Sequence, residues 1–286
     1  MGRGLLERSA RARELFEIAS GILGFDLAKL CVEGPEQELH RTSNAQPALF
    51  VHSMAALTLF LEEKPGILDS VVAVAGLSLG EYSALAAAGA ISFEDGVRLV
   101  QERGAAMQEA ASAVDSGMAS VLGLEREQLE ALCNASRQLG EVLQVANLLC
   151  PGNIAISGQS ASLNEAEKRS AEAGASRFIR LNVAGAFHTD IMKPAVKRLS
   201  SAIASTNFSP LHYPLYANVD SQPHVQPSEI AELLTQQMVS PVLWESTLRN
   251  LQSAGVDMFY EIGAGRVLAG TLKRVDRKAS CECYGD

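Results

Sequence analysis

The sequence predicts an α/β protein, a parallel sheet covered by helices, with a small ferredoxin-like α+β unit inserted into it. Three observations predict it. Residues 71–75, Val-Val-Ala-Val-Ala, are a short apolar, β-branched run that reads as a buried strand. It feeds through Gly76-Leu-Ser-Leu-Gly80 into a helical segment at 81–88, and strand–turn–helix order belongs to parallel sheets with helices on their faces. Residues 116–183 then read βαββαβ, the order of a ferredoxin-like unit, and beyond them helices and strands alternate again.

Leu5, Leu6, Leu15, Phe16, Ile18 and Ala19, with Arg and Glu between them, fit helical segments that Gly21 and Gly24 break. Gln46-Pro47 opens a second helix, with Pro47 suited to the first helical position; it runs through Phe50, Met54, Leu57 and Phe60 and stops before Pro65-Gly66. Ser92-Phe-Glu-Asp95 reads as a capping box for a helix at 93–113. Composition shifts at Ser116-Gly117. Strands are expected at 118–122, 142–147, 153–157 and 178–183, with helices at 125–133 and 162–173. The returning segment holds a helix at 191–204, a strand at 215–219, a helix at 227–238, a strand at 258–262 and a last helix after Gly263-Ala-Gly265.

The 286 residues are 47% hydrophobic and 20% charged, which rules out a disordered chain. A chain this long builds its core without staples, as one large domain or a large one carrying a small one. The formal charge is −9, from 24 Lys and Arg against 33 Asp and Glu. Nothing supplies a basic footprint for general nucleic-acid binding, although a local basic patch could hold an acidic partner. Cys31, Cys133, Cys150, Cys281 and Cys283 are odd in number and contain no CxxC pair, so they read as free thiols in a reducing compartment. Cys281-Glu-Cys283 is a weak metal or redox hint at a terminus expected to be loose. No apolar run reaches the roughly 18 residues of a transmembrane helix, and no secretory signal precedes the first helical pattern.

Gly76-Leu-Ser78-Leu-Gly80 fits G-x-S-x-G between a strand and a helix. A sharp turn there lifts the serine side chain into the open, and bulky neighbours would clash. The helix N-terminus beneath offers free amides, and the amide of Leu79 sits where an oxyanion could form. A serine nucleophile needs a base. Of His40, His52, His188, His212 and His224, only His188 lies in a small-residue segment directly after a strand, Ala184-Gly-Ala-Phe-His188. A base there and an ordinary loop histidine both fit. Asp190 is too close in sequence to orient His188, so a backbone carbonyl or an amide is the expected third partner. Arg103 falls on the apolar stripe of its helix with Leu99, Val100 and Met107. Spacing favours a side chain snorkelling to the surface; the other reading is a partly buried guanidinium that grips a carboxylate bidentately.

Taken together, Gln46-Pro-Ala-Leu49, Gly76-Leu-Ser-Leu-Gly-Glu-Tyr82, Gln101-Glu-Arg-Gly104, residues 147–152, Gly185-Ala-Phe-His188, Ser240-Pro-Val-Leu-Trp244 and Glu261-Ile-Gly-Ala-Gly265 resemble the malonyl-CoA:acyl carrier protein transacylases of fatty-acid synthesis. The resemblance implies an α/β-hydrolase-like core at 1–115 and 184–286 with a ferredoxin-like insert at 116–183. It implies Ser78 as nucleophile, His188 as base, Gln237 orienting His188 through its main-chain carbonyl, and Arg103 gripping the malonyl carboxylate. Phe187 matches a bulky position that disfavours a 2-methyl branch, and Met107 and Asn147 match pocket-lining positions. Malonyl transfer then runs by ping-pong from malonyl-CoA to a carrier-protein phosphopantetheine thiol, with no metal or redox cofactor. The implied partner is an acidic acyl carrier protein, for which Lys193, Lys197 and Arg198, or Lys273, Arg274, Arg277 and Lys278, are docking candidates. A monomer without nucleic-acid or membrane partners is expected.

Two departures bear on this reading. Leu77 stands where most bacterial members have histidine; it and Cys150-Pro-Gly-Asn153 resemble the plastid-type enzymes, which implies the plastid stroma rather than the cytoplasm. The family also begins with a strand and a Gly-Gln-Gly-x-Gln motif whose last glutamine completes the oxyanion hole. This sequence starts just after that point, so an N-terminally incomplete copy is expected, at a cost of about 10²–10³ in rate for the lost donor. Two other readings remain open: a serine esterase of the α/β-hydrolase type, which preference for malonyl over acetyl thioesters would exclude, and a non-catalytic scaffold that binds carrier protein.

Overall fold

The computed structural model describes residues 1–285. Five helices come first: α1 (Arg3–Arg8), α2 (Ala10–Leu23), α3 (Leu27–Glu33), α4 (Glu36–Leu39) and α5 (Thr42–Glu63). β1 (Val74–Ala75), α6 (Gly80–Ala87) and α7 (Phe93–Ser112) follow. Next come β2 (Ser116–Leu122), α8 (Arg126–Ser136), β3 (Leu143–Cys150), β4 (Asn153–Gln159), α9 (Ser160–Ser170) and β5 (Arg177–Arg180). The chain continues through α10 (Lys193–Ala204), β6 (Leu215–Tyr216), β7 (Pro223–His224), α11 (Pro227–Gln237), α12 (Trp244–Ser253), β8 (Met258–Ile262), α13 (Val267–Val275) and β9 (Ser280–Tyr284).

Local chemistry explains most of these boundaries. Ser9 and Asp26 accept amide protons at the starts of α2 and α3, and Ser92 accepts the Asp95 N–H at the start of α7. Gly24 ends α2 in the left-handed region at φ 80°. Gly21, expected to break the helix, lies inside it: burial of Leu15, Phe16, Ala19 and Leu23 outweighs the roughly 1 kcal/mol that glycine costs there. Pro47 is also displaced from its expected place, because α5 begins at Thr42 and carries the proline in its second turn. The bond lost to the Ser43 carbonyl is offset by burial of Gln46, Pro47, Ala48, Phe50 and Val51.

The expected parallel ladder is present but short. β1 pairs in parallel with β6 through Val74–Leu215 and Ala75–Tyr216, and β7 pairs antiparallel on the far side of β6. The strands expected at 71–75 and 215–219 therefore keep two residues each. Pro214 accepts the Val74 N–H but has no N–H to extend the ladder backwards. Forwards, Asn218 turns its side chain into the serine loop instead of continuing the strand.

Residues 116–180 form a second sheet of order β3-β4-β2-β5, antiparallel throughout. Counted within the unit the order is 2-3-1-4, the ferredoxin-like arrangement. Val121, Leu129, Leu132, Leu143, Ile156 and Leu163 give it a core of its own. The main core gathers α2, α5, α6, α7 and α10 around Phe16, Phe50, Leu85, Leu99 and Leu199. The terminus expected to be loose is β9, which pairs in parallel with β8 from Met258–Ser280 to Ile262–Tyr284, so Cys281 and Cys283 sit on an ordered strand. Among the described residues no helix is long and apolar enough to cross a membrane.

Candidate active site

The turn from β1 to α6 sets Ser78 at φ 51°, a conformation few non-glycine residues adopt. Its geometry depends on one glycine. A Cβ on Gly76 would lie 2.0 Å from the Gly80 carbonyl carbon and oxygen. A Cβ on Gly80 would meet nothing within 4 Å, so the clash expected at both glycines exists at one. Asn218 locks the turn: its Oδ1 accepts the Ser78 N–H at 2.6 Å and its Nδ2 donates to the Gly76 carbonyl at 2.7 Å. Among the described residues nothing accepts the Leu79 N–H, which leaves that amide available at the mouth of α6.

His188 is brought to the serine from the segment after β5, with φ 60°. Gly185 allows this close approach, because a Cβ there would lie 2.5 Å from the Ala111 Cβ on α7. His188 Nδ1 faces the Gln237 main-chain carbonyl at 2.9 Å. A carbonyl only accepts, so the proton sits on Nδ1 and the bare Nε2 accepts from Ser78 Oγ at 2.8 Å. Burial, helped by the charge of Arg103 and opposed by the Gln237 bond, pushes the His188 pKa down to about 4. The imidazole is therefore neutral near pH 7 and able to take a proton. Asp190 pairs with Lys193 at 3.1 Å, so a carbonyl is the partner of His188.

Arg103 does not snorkel; it is 1% exposed. Its Nη1 donates to Gln46 Oε1 at 2.7 Å, and its Nη2 donates to Ser78 Oγ at 3.0 Å and Gln237 Oε1 at 2.9 Å. The guanidinium lies 5.1 Å from the Tyr82 ring centroid, and its Nε has no partner among the described residues. Serine, imidazole and guanidinium thus converge, with the Leu79 amide one residue on from the serine. Together they can remove a hydroxyl proton, hold an oxyanion and attract a carboxylate.

The remaining expected residues are spread around this centre. Met107 is buried and accepts from Gln46 Nε2 at 3.3 Å. Phe187 packs between the main core and the face of the second sheet formed by Met118, Ala146 and Ala155. Asn147, on β3, bridges in parallel to Val242, and its buried Oδ1 has no partner among the described residues. Leu77, before the serine, packs against the small apolar cluster that holds Val242 and Trp244. A cleft of about 270 Å³ opens beside His188, lined also by Arg126 and Arg137 of the second unit and by Val239 and Pro241. No cluster of three or more metal-ligating side chains occurs among the described residues.

Sequence reasoning missed three residues of this network. Gln46 holds Arg103, Asn218 locks the turn, and Glu81 is buried beneath both. Glu81 Oε2 accepts from Gln237 Nε2, and Oε1 accepts the Asn218 N–H at 3.3 Å. Burial raises its pKa to about 7 against these bonds and the charge of Arg103. A charged residue on the first turn of a helix whose other face is alanine was the available signal.

The fold is that of an acyl transferase, and the acyl transferase domain profile matches residues 1–283. The malonyl CoA-acyl carrier protein transacylase of Bacillus subtilis is 41% identical over 100% of this chain and 89% of its own length. The mitochondrial enzyme of that name from Mus musculus is 40% identical over 98% of this chain and 76% of its own. A malonyl-transacylase solved in complex with its type II polyketide-synthase acyl-carrier protein superposes with a TM-score of 0.95 at 34% identity, covering 100% of this chain and 91% of that one. The chain belongs to the malonyl-CoA–acyl carrier protein transacylases.

Proposed function

We propose that this chain transfers the malonyl group of malonyl-CoA to the phosphopantetheine thiol of an acyl carrier protein, in fatty acid biosynthesis, with Ser78 as the nucleophile. The observation that carries the reading is the convergence of Arg103 and His188 on Ser78 Oγ, at 3.0 and 2.8 Å. A neutral ester site has no use for a buried guanidinium; a malonyl carboxylate does. His188 takes the Ser78 proton as Oγ attacks the thioester carbonyl, and the Leu79 amide donates to the developing oxyanion. The Gln237 carbonyl steadies the imidazolium through Nδ1–H. Collapse expels coenzyme A as its thiol, protonated by His188, and leaves malonyl-Ser78. The carrier's thiol then enters, gives its proton to His188 and takes the malonyl group, and His188 returns the proton to the departing Ser78 Oγ. Met107 and Phe187 would bound the acyl pocket, and Asn147 has a free acceptor to offer a ligand.

Residues 1–115 and 184–286 would then be the catalytic core and 116–183 the unit that walls the cleft beside His188. Intact mass after incubation with malonyl-CoA tests the reading. One malonyl adduct is expected on the wild type and none on Ser78→Ala. An adduct that persists in the variant would place the nucleophile elsewhere. The plastid stroma is the location proposed from Leu77 and Cys150-Pro-Gly-Asn153. Detection of the chain in another compartment after cell fractionation would overturn it.

A further inference from the structure

The mechanism above leaves one buried charge unused. Glu81 is 1% exposed on the first turn of α6, and it touches neither Ser78 Oγ nor His188 in the hydrogen-bond network. What it touches is the amide of Gln237. A carboxamide has a donor end and an acceptor end, and its neighbours choose which faces where. Here the nitrogen faces two acceptors, Glu81 Oε2 and the Ser78 carbonyl, the latter at 3.0 Å. The oxygen faces a group that can only donate, Arg103 Nη2 at 2.9 Å. Both Glu81 oxygens accept here, one from Gln237 Nε2 and one from Asn218 N–H, so Glu81 enforces this orientation in its ionised form. Its second oxygen takes the main-chain N–H of Asn218, the residue that fixes the serine turn.

We infer that Glu81 is a positioning residue for acyl-group selection: by fixing the side-chain amide of Gln237 it aims the Arg103 guanidinium, and so sets the preference for acyl groups that end in a carboxylate. This rests on the malonyl-transfer reading above and deepens it. Gln237 then serves two ends of the site. Its main-chain carbonyl orients the base, and its side chain orients the clamp. In Glu81→Gln one acceptor stands where the carboxylate had two, so Gln237 Nε2 and Asn218 N–H compete for it. The amide of Gln237 is then held less firmly, and with it its bond to Arg103 Nη2.

The test measures the rate of Ser78 acylation by malonyl-CoA and by acetyl-CoA, by intact mass, in wild type and in Glu81→Gln. The malonyl-to-acetyl ratio of second-order rates is expected to fall by about tenfold or more, the scale of one hydrogen bond to a charged group. Gln237→Met keeps the carbonyl under His188 and removes the amide. It should lower the ratio similarly, and the double variant should lower it no further. The Met variant carries the test if Glu81→Gln fails to fold. A purely electrostatic role for Glu81 predicts the opposite sign, because removing a negative charge strengthens the pull on malonyl. A raised ratio, or an unchanged ratio in both single variants, overturns the inference. Wild-type protein that acquires no malonyl adduct overturns the underlying reading instead.

Discussion

At the scale of single residues, the site is a set of donors and acceptors with few choices left. The Gln237 carbonyl fixes the tautomer of His188, and burial holds its pKa at about 4. For the malonyl-transfer reading, second-order acylation by acetyl-CoA, which has no carboxylate for the clamp, should stay level from pH 8 to about 5 and fall only as pH approaches 4, whereas acylation by malonyl-CoA also falls as Glu81 takes a proton near 7. With acetyl-CoA, a limb centred near 6.5, the ordinary histidine value, would mean a solvated imidazole. Stability follows from the same shift. Between about 4 and 6.5 the unfolded histidine binds the proton that the folded one refuses, so this group makes stability rise with pH through that window. Glu81, raised to about 7, acts in the opposite sense from its ordinary value upwards. Ser78 was legible because its motif is local, and His188 because small residues precede it. From spacing, Arg103 was legible only as a position on an apolar stripe, since spacing cannot tell a buried guanidinium from a snorkelling one; the family resemblance supplied the buried reading. Glu81, Asn218 and Gln46 become site residues only through neighbours more than 50 positions away.

At the scale of elements, the strand–turn–helix unit at 74–87 was readable because each part obeys a local rule. The turn now yields an asymmetric prediction. Gly76→Ala drives a methyl into the Gly80 backbone and should destabilise the protein by roughly 1–3 kcal/mol in chemical denaturation. Gly80→Ala faces open space and should stay within about 1 kcal/mol of wild type. Equal losses would mean that the turn rearranges in both. Five elements escaped the sequence reading: α3, α4, β7, α12 and β9. α12 carries Trp244, Leu248 and Leu251 at helical spacing, a pattern overlooked beside the Ser240-Pro-Val-Leu-Trp244 motif. β9 is five residues without an apolar run, and only its register with β8 makes it a strand. The lengths of β1 and β6 were misjudged because Pro214, just before the second run, and Asn218, a polar residue within it, cut the ladder short.

At the scale of the whole molecule, a net charge of −9 would repel an acidic carrier, so docking of such a partner would depend on where the cations are free. Lys193 is paired with Asp190, and Arg198 with Glu102 and Glu109. Lys273 is tied to main-chain carbonyls and Arg274 to that of Pro151. Lys197, Arg277 and Lys278 have no ion pair among the described residues. The Michaelis constant for the carrier should rise severalfold between about 50 and 500 mM salt while that for a small thiol acceptor stays level; a constant that ignores salt would argue for apolar docking. The spacing of α5 and α7 carries a different lesson. A Cβ on Gly96 would lie 2.2 Å from Phe50 Cζ, and one on Gly104 would lie 2.8 Å from the Thr42 carbonyl oxygen. These two helices supply Gln46, Arg103 and Met107, and they already touch backbone to side chain and backbone to backbone. The pair works as a fixed gauge. Evolution or engineering toward a bulkier acyl group has side chains to trim there, but no slack between the helices to take up.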